Sequence, residues 1–272
     1  MMDINFEGRT VLITGAASGI GRECAIAFAE SGASVVIADL DDAGKYVAES
    51  LPKAKGAEHI FVKTDVTSQE SVEQAVMAAA KKHGAIDVLV NNAGIDYPLL
   101  LVDPENPKGR YELDEERFDR MTAVNQKGAF LCAQAVARGM VERRKGVIIN
   151  MTSESGLEGS EGQSCYAGTK AALYALTRSW AKELGRHGIR VVGVAPGILE
   201  PTALRNQAYE DALAYVRGIP VEDIRKNYKS SVPLRRVGRL REVADLAVFL
   251  ASDGAGYITG TTVNISGGKS RA

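Results

Sequence analysis

The chain has 272 residues, 45% of them hydrophobic and 25% charged, with a formal net charge of -1, a composition that suits a globular protein with a substantial core. So even a charge balance gives no electrostatic basis for binding nucleic acid or an anionic membrane, and no apolar stretch reaches membrane length. The three cysteines, Cys24, Cys132 and Cys165, lack CxxC or Cys/His spacing, so the expectation is a reducing, cytoplasmic setting without structural metal.

Residues 10–14 (TVLIT) read as a short buried strand. They run into Gly15-Ala-Ala-Ser-Gly19-Ile-Gly21 and an amphipathic helix over 22–31. A glycine-rich turn between strand and helix lets backbone amides and a helix N-terminus approach a pyrophosphate, although the spacing here is GxxxGxG rather than GxGxxG. A second strand over 34–39 ends in Asp39, about 20 residues past the glycines, where an acid accepts hydrogen bonds from an adenosine ribose or caps the next helix. A carboxylate there repels a 2′-phosphate, and Leu40-Asp41-Asp42 supplies no cation to hold one. NAD is therefore expected rather than NADP.

A third strand over 59–63 leads to Asp65, with Thr67 or Ser68 capping a helix that runs to His83. A fourth over 86–90 ends in Asn91-Asn92-Ala93-Gly94. Short strands alternating with longer helical stretches predict a single-domain α/β fold, a doubly wound Rossmann-type parallel sheet of about seven strands with helices on both faces. Ligands of such sheets bind beyond the carboxyl ends of the strands, and Gly15, Asp39, Asp65, Asn92 and Ser153 all fall there.

Residues 96–112 break the rhythm with Pro98, Pro104 and Pro107 and read as an inserted loop over the active edge. A long helical pattern over 113–139 contains Asn125, which is unfavourable in a helix interior and hints at a local role. After an apolar strand over 146–151 comes Ser153, and then Tyr166 and Lys170 opening a helix. Residues four apart on a helix share a face, and an ammonium fixed beside a phenol favours the phenolate. Serine, tyrosine and lysine thus converge on one alcohol carbon. A strand over 189–194 closes with Pro196-Gly197. Residues 198–232, polar and helical in pieces, are placed to act as a substrate lid, ahead of a last helix over 239–250 and a last strand over 262–265. His59, His83 and His187 read as structural or exposed.

Taken together, TGAASGIG (14–21), NNAG (91–94), Asn125, Ser153, Tyr166-xxx-Lys170 and Pro196-Gly197 resemble the short-chain dehydrogenase/reductase family across nearly the whole chain. The resemblance implies that Tyr166 is the general acid/base, that Lys170 lowers its pKa and holds the nicotinamide ribose, and that Ser153 hydrogen-bonds the substrate oxygen. It implies that Asn125 anchors a water linking Lys170 to solvent. Gly15, Ser18, Gly19, Ile20 and Gly21 would form the cofactor loop. Asp39 would hold the adenosine ribose and Asp65, with Val66, the adenine edge. Asn92, Ala93 and Gly94 would line the cofactor, as would Pro196, Gly197 and Ile198 on the other side. Segments 109–118, 125–130, 153–173 and 187–200 are similar to members that act on polyol phosphates, so a small polyol or sugar phosphate is the expected substrate, with Ser153, Glu154 and Tyr166 touching it. At least one of Glu154 and Glu158 is expected to face the substrate pocket, and Glu161 lies close by in sequence. Arg110, Lys127, Arg205, Lys269 and Arg271 are the candidate phosphate ligands. A homotetramer or homodimer, with no nucleic-acid or membrane partner, completes the expectation.

Overall fold

The computed structural model describes residues 4–270 apart from 55 and 203, and side chains for all of these except 225–229. Arg271, one of the candidate phosphate ligands, lies outside the described residues. Seven strands form one sheet: β1 (Thr10–Thr14), β2 (Ser34–Asp39), β3 (Ile60–Lys63), β4 (Val88–Asn91), β5 (Gly146–Met151), β6 (Ile189–Pro196) and β7 (Thr262–Ile265). Their order is β3-β2-β1-β4-β5-β6-β7, and every pair is parallel. The chain winds outward from β1 to β3, then returns to lay β4 on the other side of β1. That reversal opens a crevice beyond the carboxyl ends of β1 and β4.

Parallel strands buried on both faces need apolar side chains at successive positions, and alternate residues of β1 meet this by facing opposite layers. Val11 and Ile13 join Phe28 of α1 (Gly19–Glu30) and Val243 and Ala247 of α10 (Leu240–Ala251), whereas Leu12 joins the cluster of Leu131, Val136 and Met140 from α5 (Gly128–Arg143). The remaining helices are α2 (Gly44–Ser50), α3 (Gln69–His83), α4 (Glu115–Thr122), α6 (Ser155–Glu158), α7 (Ser164–Leu184), α8 (Gln207–Val216) and α9 (Val221–Ser231). Ser68 caps α3 by accepting from the Ser71 amide, and Asp114 caps α4 through the Arg117 amide.

The helical stretch expected over 113–139 is broken differently. A π-helical turn, Ala123–Lys127, lies between α4 and α5. It carries Asn125, whose buried side chain accepts from the Ile95 amide at 2.8 Å and donates to the Ile95 carbonyl at 2.8 Å and to Thr169 Oγ1 at 3.1 Å. A widened turn lets a polar side chain leave the helix without opening the whole element.

Residues 96–112 and the α8–α9 segment pack on each other. Tyr111 stacks on Tyr215 of α8 with ring centroids 4.2 Å apart. Tyr215 donates its hydroxyl to the buried Asp103 carboxylate, and Leu100 and Tyr111 flank the small apolar cluster of Leu213, Val216 and Ile224. The two insertions make one cover at the carboxyl edge of the sheet. Among the described residues no helix is long and apolar enough to cross a membrane.

Candidate active site

One cleft of about 1000 Å³ runs along the carboxyl edge, from Asp39 and Asp65 at one end to the cover at the other. This lies at the upper end of ordinary ligand pockets and leaves room for a dinucleotide and a small substrate together. At its floor, Gly15 and Gly19 adopt left-handed backbone angles (φ +66° and +55°). A Cβ on Gly15 would come within 2.8 Å of the Ala93 backbone. Ser18, at the N-terminus of α1, makes no side-chain cap. The first-turn amides of that helix are thus left for an anion from the cleft. Thr202, from the segment entering the cover, sits 3.5 Å from the position a Gly19 Cβ would take, so the cover reaches over this loop.

Asn92 lines the cleft, yet its amide is committed to structure, donating to the carbonyls of Thr14 and Gly15 at 3.0 Å each. Thr14 Oγ1 in turn accepts from the amides of Asn92 and Ala93 at 3.0 and 3.1 Å. Gly21 lies beneath the loop. A Cβ there would fall 2.3 Å from the Gly15 carbonyl oxygen and 2.5 Å from Asn92 Nδ2. Asp39 Oδ2 accepts from the Ala17 amide at 2.8 Å and Oδ1 from the Asp41 amide at 2.9 Å, which fixes its charge at the cleft's edge. Lys45 and Lys63, the cations nearest in this part of the sequence, are both held by Asp42. Asp65 Oδ1 accepts from the amide and hydroxyl of Thr67. Val66 packs where a Gly128 Cβ would otherwise be, and Gly94, Pro196, Gly197 and Ile198 complete the walls. An open helix N-terminus, glycines that bring backbone close, and a carboxylate at the far end fit a nicotinamide dinucleotide.

Ser153, Tyr166 and Lys170 converge at the middle of the cleft. Lys170 is 4% exposed, and its Nζ donates to the Met151 carbonyl at 2.8 Å and lies 5.6 Å from the Tyr166 ring centroid. Burial pushes this ammonium down to about 8, with the Asp96 charge acting the other way. The phenol of Tyr166 is held above its ordinary value, first by burial and then by Asp96, while a hydrogen bond with Ser153 partly offsets them. In the protein alone, desolvation and a nearby carboxylate set the direction of the Tyr166 shift. Asn125 does not reach the cleft. Both of its amide atoms are taken by protein groups, so a water at this turn would have to be held by main chain.

Glu154 and Glu158 both line the cleft, whereas Glu161 is exposed outside it. Glu154 Oε1 accepts from Lys269 Nζ at 2.8 Å. Its carboxyl is raised by burial, and Lys269 opposes the shift. Of the candidate phosphate ligands, Arg205 and Lys269 line the cleft. Arg110 is exposed over the Tyr111 ring and Lys127 is exposed on the π-helical turn.

Two groups that sequence reasoning missed, Arg217 and Asp96, stand in the same half of the cleft. Arg217 lines it and donates to Ser160 Oγ at 3.3 Å. Asp96, 6% exposed, accepts at Oδ2 from Tyr209 of α8 at 2.8 Å and from Gln163 Nε2. Burial raises the Asp96 carboxyl to about 6, against the hydrogen bonds of Tyr209 and Gln163 and the charges of Lys170 and Arg217. Beneath the site, Asn91 donates to Asn150 Oδ1 at 3.0 Å and Asn150 to Thr177 Oγ1 at 2.9 Å, a buried polar chain joining β4, β5 and α7. Asparagines ending two apolar strand runs were its signal in the sequence.

Comparison with known proteins agrees with this geometry. A family model described as enoyl-(acyl carrier protein) reductase matches residues 15–270. The chain is 51% identical to a sorbitol-6-phosphate 2-dehydrogenase from Klebsiella pneumoniae over 98% of both chains. It is 39% identical to a 3-oxoacyl-[acyl-carrier-protein] reductase from Thermotoga maritima, over 97% of this chain and 99% of that one. A crystal structure of a short-chain type dehydrogenase/reductase from Mycobacterium marinum superposes with a TM-score of 0.85 at 34% identity, covering 99% of this chain and 98% of that one.

Proposed function

The chain belongs to the short-chain dehydrogenase/reductase family, and from that premise we propose an NAD-dependent oxidoreductase that interconverts D-sorbitol 6-phosphate and D-fructose 6-phosphate at C2. The observation that carries this reading is the wall facing Tyr166, Ser153 and Lys170. It bears Arg205, Arg217 and Lys269 together with carboxylates, a match for hydroxyls and a phosphate. An oxoacyl chain, the substrate class of the other curated relative, would make no use of these charges, although Leu199, Leu204 and Leu213 line the same cleft. When bound, the nicotinamide exchanges hydride with the substrate carbon.

The protein's own groups do the rest. Tyr166 takes the proton of the alcohol during oxidation and returns it to the ketone oxygen during reduction. Ser153 donates to that oxygen as charge develops on it. Lys170 places a cation beneath the phenol. Reduction consumes a proton and oxidation releases one, so oxidation is favoured at alkaline pH. Asp39, with no cation beside it among the described residues of the cleft, supports NAD over NADP.

The test is NADH absorbance with purified protein at pH 7 to 9, using sorbitol 6-phosphate, mannitol 6-phosphate and free sorbitol, with NADP in parallel. Reduction of NAD with sorbitol 6-phosphate well above the other pairs is expected, and equal rates with NADP or with free sorbitol would overturn the cofactor or the phosphate assignment respectively.

Self-association as a homotetramer or homodimer goes with this proposal. Phe118 and Phe130 are exposed on α4 and α5, and Ala171 and Ala175 face outward on α7, where small side chains allow close helix approach. The mass in solution by light scattering decides it, a monomer being the contrary result. A cytoplasmic location is part of the same proposal.

A further inference from the structure

Asp96 is not required by the proton chemistry just described, yet it is among the most costly side chains in the cleft. A carboxylate this buried is tolerated only when its lone pairs are met. Oδ2 is met twice, by Tyr209 and Gln163. Oδ1 is buried and has no hydrogen-bond partner among the described residues. The groups around the carboxylate leave it little freedom. Gln163 Nε2 also donates to Tyr209 at 2.9 Å, and Ser160 holds the other end of the same amide at 2.6 Å. Two elements, the N-terminus of α7 and helix α8 of the cover, thus fix one oxygen of this residue at the start of the 96–112 loop and leave the second without a donor. The residue lines the cleft beside Tyr166, and its charge is felt at both Tyr166 and Lys170.

Building on the polyol reading above, we propose that Asp96 is a substrate-recognition residue, with Oδ1 accepting a hydrogen bond from a hydroxyl on a carbon next to the reacting one. The missing donor comes from the substrate, which reaches Oδ1 by a side-chain shift at the cleft wall, while Tyr209 of the cover holds the neighbouring oxygen. A carboxylate in this place selects a chain that carries a hydroxyl beside the reacting carbon and rejects one that carries only hydrogen there, since the unmet buried charge then stays unmet. The fold thereby separates polyhydroxy substrates from hydrocarbon chains at the same catalytic tyrosine.

The test compares wild type with Asp96→Asn in the reduction of D-fructose 6-phosphate and of its 1-deoxy and 3-deoxy analogues, with NAD affinity measured by fluorescence as a check on the fold. Asp96→Asn is expected to lower kcat/KM for the parent by ~10–100-fold, mainly through KM, as for loss of a charged hydrogen bond. On the analogue lacking the recognised hydroxyl, the variant and wild type are expected to have equal kcat/KM, the signature of a direct coupling. Tyr209→Phe, which keeps the ring and removes one donor to Asp96, is expected to show the same pattern more weakly, and it carries the test if the first variant does not fold. An equal loss on the parent and both analogues, or no loss on the parent, overturns the inference while leaving the function in place. A wild type inert with the parent ketose phosphate overturns both.

Discussion

At the residue scale, Tyr166 stands between opposed influences. Burial and Asp96 keep its proton on; Ser153 works against them, and Lys170 lies close enough to stabilise the phenolate once it forms. Replacing Tyr166 with Phe removes the proton and keeps the ring. Turnover is expected to fall by at least ~10²–10⁴, the ordinary contribution of a general acid/base, while NAD binding by fluorescence stays within about twofold of wild type. Near-normal turnover would remove the tyrosine from the chemistry. The Tyr166–Lys170 pair was legible in the sequence because helical spacing alone puts both on one face. Asp96 was not, since its partners Gln163 and Tyr209 lie 67 and 113 residues away and only the folded cover brings them together. The direction of the Tyr166 shift was also hidden, because spacing reveals the neighbouring charge and says nothing of desolvation.

At the element scale, the glycine loop, the end of β4 and the π-helical turn act as one support. Asn92 ties the loop to the sheet edge through Thr14 and Gly15, and Asn125 ties the stretch after Gly94 to α7 through Ile95 and Thr169. Gly21 is where this support tolerates least. A methyl group there meets the Gly15 backbone and the Asn92 amide, which its own hydrogen bonds hold in place, so Gly21→Ala is expected to cost ~1–3 kcal/mol in urea unfolding, the usual penalty of overpacking. The displaced loop is expected to weaken NAD binding at least ~10-fold by titration calorimetry, the equivalent of about 1.4 kcal/mol. An unchanged affinity would show that the loop does not need this close contact. Strand and helix order could be read from alternating apolar runs and capping residues, as at Ser68 and Asp114. The π-helical turn could not, because 3.6-residue periodicity persists on either side of it. Propensity marked Asn125 as a residue out of place, and its part as a water anchor was implied by the family resemblance alone.

At the scale of the whole molecule, one reversal of strand order places Tyr166, the glycine loop and Asp39 along a single edge, and two insertions roof that edge. The parallel sheet was legible because buried strands of this kind are apolar at successive positions. The docking of the 96–112 loop on α8 was not, because Tyr111, Tyr215 and Asp103 carry no periodic signal. Under that roof Arg205, Arg217 and Lys269 stand with carboxylates among apolar residues, and the proposed polyol phosphate uses the charged ones. The most direct measurement is therefore kcat/KM for sorbitol 6-phosphate oxidation with NAD against kcat/KM for reduction of a 3-oxobutyryl thioester, on one preparation of the full chain. A polyol phosphate value exceeding the thioester value by at least ~10²-fold is expected, as for a site whose buried polar groups need partners. A thioester preferred over the polyol phosphate would contradict the account and turn the same fold and tyrosine to acyl chemistry.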